Sequence, residues 1–147
     1  MEKFVIKGQR PLSGEITPSG NKNAALPMMA ACLLTDKEIV LHNMPEIRDV
    51  QTMRSLLKSL GVNIENLGGH TWKIQASHVR PADLDPTLCR NIRASILLAG
   101  PMVARTGELH LPPPGGDIIG RRLANHAELL QKNAGSLLVY SAYNVRR

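Results

Sequence analysis

The chain has 147 residues, of which 43% are hydrophobic and 20% charged, and its formal net charge is +6. This composition excludes a disordered chain and is sufficient for one globular domain with its own hydrophobic core. Aromatic residues make up only 3% of the chain, so the basic excess, concentrated in residues 121–147, favours small anionic substrates over nucleic acid.

The first half of the chain predicts alternating helices and strands. In chain order these are a helix over 24–34, a strand over 38–41, a helix over 49–60 and strands over 63–66 and 71–75. The second helix has Asp49 as its predicted N-cap and Gly61 just past its end. The two strands after it flank a glycine-rich turn, which predicts a hairpin.

The second half repeats this pattern, because the apolar segment after Asn23 resembles the one after Arg93, 70 residues later. Its predicted elements are a helix over 94–104, strands over 108–111 and 136–141, and between them a helix over 121–134. The repeat predicts an α/β scaffold with helices on one face of a small sheet. The helices over 24–34 and 94–104 are apolar nearly all round, so we expect them to be the most buried elements.

The second unit differs from the first by about four extra residues, which fall in the loop over residues 112–120. Prolines, paired glycines and one carboxylate give this loop an unusual backbone. Asp117 on it could exchange a proton while Arg121 and Arg122, just after it, grip an anion. The alternative is a surface turn whose charges are merely solvated.

Several other classes of site find no support. The five histidines show no paired metal-ligand spacing, and the stretch from Gly115 to Gly120 lacks the Gly-Lys-Ser/Thr of a P-loop. Cys32 and Cys89 are predicted to be free, buried thiols, which fits a reducing compartment. With no signal-peptide pattern and apolar runs too short to span a membrane, we expect a cytoplasmic protein without a metal or cofactor.

Four stretches of the chain are distinctive in combination. They are Gly14-Glu15-Ile16-Thr17, Ser19-Gly20-Asn21-Lys22-Asn23-Ala24-Ala25-Leu26-Pro27, Arg93-Ala94-Ser95, and Pro114-Gly115-Gly116-Asp117-Ile118-Ile119-Gly120. Through them the sequence resembles the UDP-N-acetylglucosamine enolpyruvyl transferases, from Phe4 to about Gly135. The resemblance implies part of an inside-out α/β barrel, with helices inside and sheets outside, built from such repeats. It favours this family over the sister enzyme of aromatic biosynthesis.

The resemblance also implies a reaction and a role for each motif residue. The family moves enolpyruvate from phosphoenolpyruvate to the 3-hydroxyl of UDP-N-acetylglucosamine, releasing phosphate, as the first step of peptidoglycan synthesis. Lys22 and Asn23 would bind phosphoenolpyruvate, which suits a lysine at a helix N-terminus. Arg93 and Arg122, with its neighbour Arg121, would hold the UDP-sugar, and Asp117 would be the proton donor.

The family is much longer than this chain, so the chain is expected to be its N-terminal part. In the family, residues 1–20 would contribute a strand to a second domain, and residues 21–147 would form about two repeats of the first. We expect the isolated chain to bind UDP-N-acetylglucosamine weakly, to release no phosphate and to self-associate. The alternative is a non-catalytic module that pairs with a full-length enzyme. Asp117 replaces the cysteine of many members, which predicts insensitivity to fosfomycin.

Overall fold

The computed structural model describes residues 3–9, 11–80, 84–112, 114–115 and 144–146. The first unit contains α1 (Lys22–Ala31), a 3-10 turn (Cys32–Leu34), β1 (Glu38–Leu41), α2 (Arg48–Ser59), β2 (Asn63–Gly68) and β3 (Thr71–Gln75). The second contains α3 (Pro86–Asn91), a 3-10 helix (Arg93–Leu98), α4 (Ala99–Thr106), β4 (Glu108–His110) and β5 (Asn144–Arg146). The predicted helix over 121–134 and strand over 136–141 lie outside the described residues.

Helix α1 forms where it is predicted, but it is not buried all round. Ala25, Leu26 and Met29 line its buried face, whereas Met28 is 43% exposed, and Leu34 in the following turn is 56% exposed. An apolar composition nearly all round the helix therefore does not lead to burial on every side. The reason is that α1 packs against α2 and the second unit's 3-10 helix, and in the described part of the chain these cover only one side.

Helix α2 begins one residue earlier than predicted, and this changes the role of Asp49. Its N-cap is Ile47, whose side chain makes no capping hydrogen bond, and Asp49 lies inside the first turn. The prediction of Asp49 as N-cap is therefore wrong. A carboxylate in the first turn still interacts favourably with the positive end of the helix dipole. At the other end Gly61 has a φ of 90°, the left-handed conformation predicted for a residue just past a helix.

The predicted hairpin of β2 and β3 is confirmed, and β3 is the central strand of an open, three-stranded antiparallel sheet in the order β1-β3-β2. Gly69 and His70, between its strands, have φ values of 56° and 58°, as a type I′ turn requires. Trp72 and Ile74 point to the buried face, while Lys73 between them faces the other side. One apolar face covered by helices is the α/β layering that the repeat predicts.

The second unit departs from prediction at its first helix. Residues 93–98 are wound as a 3-10 helix, and the α-helical part begins only at Ala99. The short helix α3 was not predicted, although Asp85 accepts a hydrogen bond from the Thr87 N–H at 2.7 Å and Pro86 starts the helix. Strand β4 forms as predicted and pairs antiparallel with β5, which was not predicted.

One arginine joins the two units. The Arg105 guanidinium in α4 donates a hydrogen bond to the Leu33 carbonyl at 2.9 Å and another to the Ala76 carbonyl at 2.8 Å. These acceptors follow α1 and β3, so a single planar side chain connects three parts of the fold.

Among the described residues, no helix has the length and apolar character needed to cross a membrane.

Candidate functional site

Lys22 is the first residue of α1, and the residue before it shapes its surroundings. The Asn21 side-chain oxygen accepts hydrogen bonds from the Asn23 N–H at 2.7 Å and the Ala24 N–H at 3.3 Å. Asn21 therefore satisfies two of the N–H groups that would otherwise face an anion. An anion at this end of the helix would be bound chiefly through the Lys22 side chain.

The Lys22 ammonium pairs with Asp49. Its Nζ lies 2.9 Å from Asp49 Oδ2, across 27 residues of sequence, and joins the first turns of α1 and α2. The two side chains are 48% and 35% exposed, so the pair is accessible to a small anion. The sequence pattern does not indicate this contact, because it predicts Asp49 as a helix cap. The signal that could have indicated it is an acidic residue near the start of a helix, where it can attract a lysine.

The backbone before Lys22 is held by a close contact with the loop after β1. A Cβ added to Gly20 would overlap the carbonyl oxygen of Asn43 and lie 2.9 Å from Pro45 Cδ. Only glycine allows this approach. The contact fixes the direction from which the chain enters α1, and so the position of Lys22.

A cavity of about 410 Å³ opens beside this contact. It is bounded by the segment that leads into α1, the loop that leads into α2 and the hairpin turn, and its lining residues are Thr17, Pro18, Ser19, Gly20, Asn43, Met44, Pro45, Glu46, Ile47 and His70. The cavity thus lies next to the N-terminal ends of the two helices that carry Lys22 and Asp49. Of the predicted site residues that the structure describes, Lys22, Asn23 and Arg93 do not line it.

Arg93 begins the 3-10 helix of the second unit, at the position in the repeat that corresponds to Asn23. Its side chain is half-buried. Because α1 packs against this 3-10 helix, the structure brings the element carrying Arg93 against the element carrying Lys22. The two motifs, distant in sequence, belong to neighbouring elements of one packed layer.

Gly115, in the loop over residues 112–120, contacts α3. The Gly115 N–H donates a hydrogen bond to the Cys89 carbonyl at 3.0 Å, and a Cβ on Gly115 would overlap the Arg90 carbonyl. With the repeat offset of 70, Arg90 corresponds to Gly20 and Gly115 to Pro45. In each unit, a glycine allows the segment before the helix to touch the loop after the strand. In the first unit this glycine is Gly20, before the helix, and in the second it is Gly115, after the strand. Asp117, Arg121 and Arg122 lie outside the described residues.

The two cysteines are buried and free, as predicted. Burial raises the pKa of the Cys32 thiol. Burial and, less strongly, the Asp85 carboxylate raise the pKa of Cys89 to about 11. At neutral pH both thiols stay protonated, so neither is a suitable nucleophile. Within the described ranges, no cluster of three His, Cys, Asp or Glu side chains could hold a metal ion.

Comparison with known proteins identifies the family. The sequence profile of the family described as EPSP synthase (3-phosphoshikimate 1-carboxyvinyltransferase) matches residues 6–136. The chain belongs to this family. An enolpyruvyl transferase of the same fold, NikO from Streptomyces tendae, matches with a TM-score of 0.72 at 20% identity, over 92% of this chain and 30% of its own. The α/β fold expected from the sequence is thus confirmed, while the described sheets stay open.

Curated relatives of this chain carry a more specific name within the family. Proteins named UDP-N-acetylglucosamine 1-carboxyvinyltransferase are 53% identical over 131 residues in Bradyrhizobium diazoefficiens and 48% identical over 122 residues in Treponema denticola. The match covers 88% and 83% of this chain but only 30% and 29% of those relatives. The chain therefore spans about a third of the length of the curated relatives it matches.

Proposed function

We propose that this chain supplies part of an enzyme that transfers enolpyruvate from phosphoenolpyruvate to the 3-hydroxyl of UDP-N-acetylglucosamine. The observation that supports this most strongly is the 53% identity to a relative named for the UDP-sugar, over a segment long enough to include the Lys22, Arg93 and Asp117 motifs. In this proposal the reaction takes place in the cytoplasm, as the first step of peptidoglycan synthesis. Two buried free thiols fit that compartment.

In this proposal Lys22 and Asn23 bind phosphoenolpyruvate. The Lys22 ammonium is accessible and lies at the mouth of two helix N-termini. It would neutralise part of the negative charge that otherwise keeps two anionic substrates apart. Since Asn21 satisfies the Asn23 N–H, Asn23 would contribute through its side-chain amide, which can both donate and accept hydrogen bonds.

Arg93, Arg121 and Arg122 would hold the UDP-sugar. A guanidinium binds phosphate oxygens in a bidentate way, which positions the substrate as well as neutralising it. Positioning matters here because the sugar 3-hydroxyl must approach C2 of phosphoenolpyruvate from above or below the plane of the double bond. Packing of the Arg93 element against α1 supports a site shared by both units.

Asp117 would act as general acid. The sugar oxygen attacks C2 and gives up its hydroxyl proton to a general base elsewhere in the enzyme, while Asp117 delivers a proton to C3. The tetrahedral intermediate then loses phosphate as the C2–O bond breaks and C3 gives up one proton, which restores the C=C double bond. A carboxylic acid can donate this proton only if a dry, closed loop raises its pKa towards neutrality. Since an aspartate has no thiolate for the fosfomycin epoxide to alkylate, intact-mass analysis after fosfomycin treatment should detect no adduct.

A chimera tests the proposal directly. The segment of the Bradyrhizobium relative that corresponds to residues 6–136 is replaced by those residues of this chain, and phosphate release is measured with both substrates. We expect a functional chimera, and Lys22→Met should abolish most of its activity while Lys37→Met leaves it intact, since Lys37 is 84% exposed. A chimera that folds and binds UDP-N-acetylglucosamine yet releases no phosphate would contradict the proposal.

A second candidate is a non-catalytic module that pairs with a full-length enzyme. The observation behind it is the apolar N-terminal segment, in which Phe4, Val5 and Ile6 are 93%, 83% and 88% exposed. Size-exclusion chromatography with and without the full-length relative separates the two candidates. In both, we propose that the isolated chain binds UDP-N-acetylglucosamine weakly, as calorimetric titration would measure, and releases no phosphate.

A further inference from the structure

The ion pair between Lys22 and Asp49 joins two helices at their N-terminal ends. Lys22 Nζ and Asp49 Oδ2 lie 2.9 Å apart. A partly exposed pair of this kind contributes little to folding, because water screens it and both side chains lose rotational freedom. The main effect of the ion pair is on the position of the Lys22 ammonium group.

The two charges have opposite relations to their own helices. Lys22 lies at the positive end of α1, where the helix dipole repels an ammonium group, whereas Asp49 lies at the positive end of α2, where a carboxylate is favoured. Without a partner, the flexible Lys22 side chain would therefore extend away from the helix end into solvent. Asp49 supplies the attraction that keeps it there.

The surrounding backbone is rigid enough for this contact to set a direction. Gly20, two residues before Lys22, packs against the Asn43 carbonyl, and Asn21, the residue between them, caps α1. Asp49 is itself held in the first turn of a twelve-residue helix. An ammonium group has three N–H donors, so one bond to Asp49 leaves two for an arriving anion.

We propose that Asp49 is a positioning residue that orients the Lys22 ammonium group for the phosphoenolpyruvate anion. This inference rests on the proposed function, in which Lys22 binds that substrate. Asp49 acts through Lys22 and touches no reacting atom. Its loss frees the lysine side chain, and freezing such a side chain on binding weakens affinity by about 2- to 10-fold.

The test measures Lys22 in the intact chain by trace acylation of its lysines, read by peptide mass spectrometry with and without phosphoenolpyruvate. In the parent protein phosphoenolpyruvate should protect Lys22. In Asp49→Asn and Asp49→Ala, Lys22 should react at a changed rate without ligand, and about 2- to 10-fold more phosphoenolpyruvate should be needed for protection. Asp49→Glu, which keeps the charge, should restore protection.

Glu65→Gln is the matched control, because Glu65 pairs with Lys73 at 2.7 Å on the outer face of the sheet. It should leave both the reactivity and the protection of Lys22 unchanged. Equal protection in the parent and in the Asp49 variants, or tighter binding in the variants, would overturn the inference while leaving the proposed function standing. Absence of protection in the parent would overturn the role of Lys22 itself, and the inference with it.

Discussion

At the scale of single residues, the candidate site depends on small structural details around Lys22. Asn21 caps α1, and Gly20 allows the backbone to touch the loop after β1. Neither residue carries a charge, yet together they determine where the Lys22 ammonium can lie. The structural roles of such residues are tested by measuring the free energy of unfolding of their variants rather than enzymatic activity.

Gly20→Ala should destabilise the protein by about 1–3 kcal/mol, because the new methyl group overlaps the backbone oxygen of Asn43 and the loop must shift. Chemical denaturation measures the change. Gly100→Ala is the control, since a Cβ there meets nothing within 4 Å and Gly100 lies inside α4. It should be neutral or stabilise by up to about 1 kcal/mol. Similar losses in both variants would argue against the close contact.

The Cys89 thiol should be unreactive in the folded protein. Its pKa is raised to about 11 from 9.0, mainly by burial, so the folded state favours the protonated form. Any stability from this shift is present below pH 9 and is lost as the pH rises from 9 to 11. Iodoacetamide at pH 7.5 should label Cys89 rapidly in denaturant and very slowly without it, as peptide mass spectrometry would show. Equal rates would contradict this burial.

At the scale of helices and strands, the two units are joined through buried surfaces and through two hydrogen bonds from one guanidinium group. Arg105 in α4 binds the carbonyls of Leu33 and Ala76, which belong to the first unit. The same interface includes α1 and the 3-10 helix that begins with Arg93. A change in these contacts is therefore expected to alter the position of the Lys22 motif relative to the Arg93 motif.

Arg105→Met should cost about 2–3 kcal/mol of stability, because two carbonyl groups lose a charged donor in a half-buried position. Arg105→Lys should recover only part of this, since one ammonium group cannot reproduce the planar fork. Lys37→Met, at a side chain 84% exposed, should change stability by less than about 0.5 kcal/mol. If Arg105→Met were equally mild, the forked contact would have no energetic role.

At the scale of the whole molecule, the described chain has a well-packed core and an uncovered apolar segment before it. Met29, Leu33 and Met53 are fully buried, together with most of the other large apolar side chains of both units. In the described part of residues 3–16, by contrast, every residue is exposed. The core therefore does not depend on this segment.

Deletion of residues 1–16 should leave the free energy of unfolding within about 0.5 kcal/mol of the parent value, because every described side chain in this stretch is exposed. The deletion should also reduce self-association, measured by sedimentation velocity, since it removes exposed apolar surface. Leu33→Ala, at a fully buried position, provides the contrast and should cost about 2–5 kcal/mol. Marked destabilisation by the deletion would show that the segment packs against the core.

Local sequence patterns are sufficient to predict most elements of the first unit and to recognise the family. Helix α1, the hairpin and the left-handed Gly61 follow from apolar periodicity, turn chemistry and glycine, which act over a few residues. The motifs around Lys22, Arg93 and Asp117 carried the resemblance. The family match over residues 6–136, together with the 53% identity to a protein named UDP-N-acetylglucosamine 1-carboxyvinyltransferase, confirms it.

Contacts between residues far apart in the chain are visible only in the folded structure. The pairing of Lys22 with Asp49 spans 27 residues, and no periodicity encodes it. One face of α1 is covered and the other is not because neighbouring elements, rather than the helix's own composition, determine burial. The 3-10 start of the Arg93 helix and the pairing of β4 with β5 likewise escaped local analysis. In each case the deciding energy comes from packing between segments far apart in the chain, whereas sequence patterns report the preferences of one segment at a time.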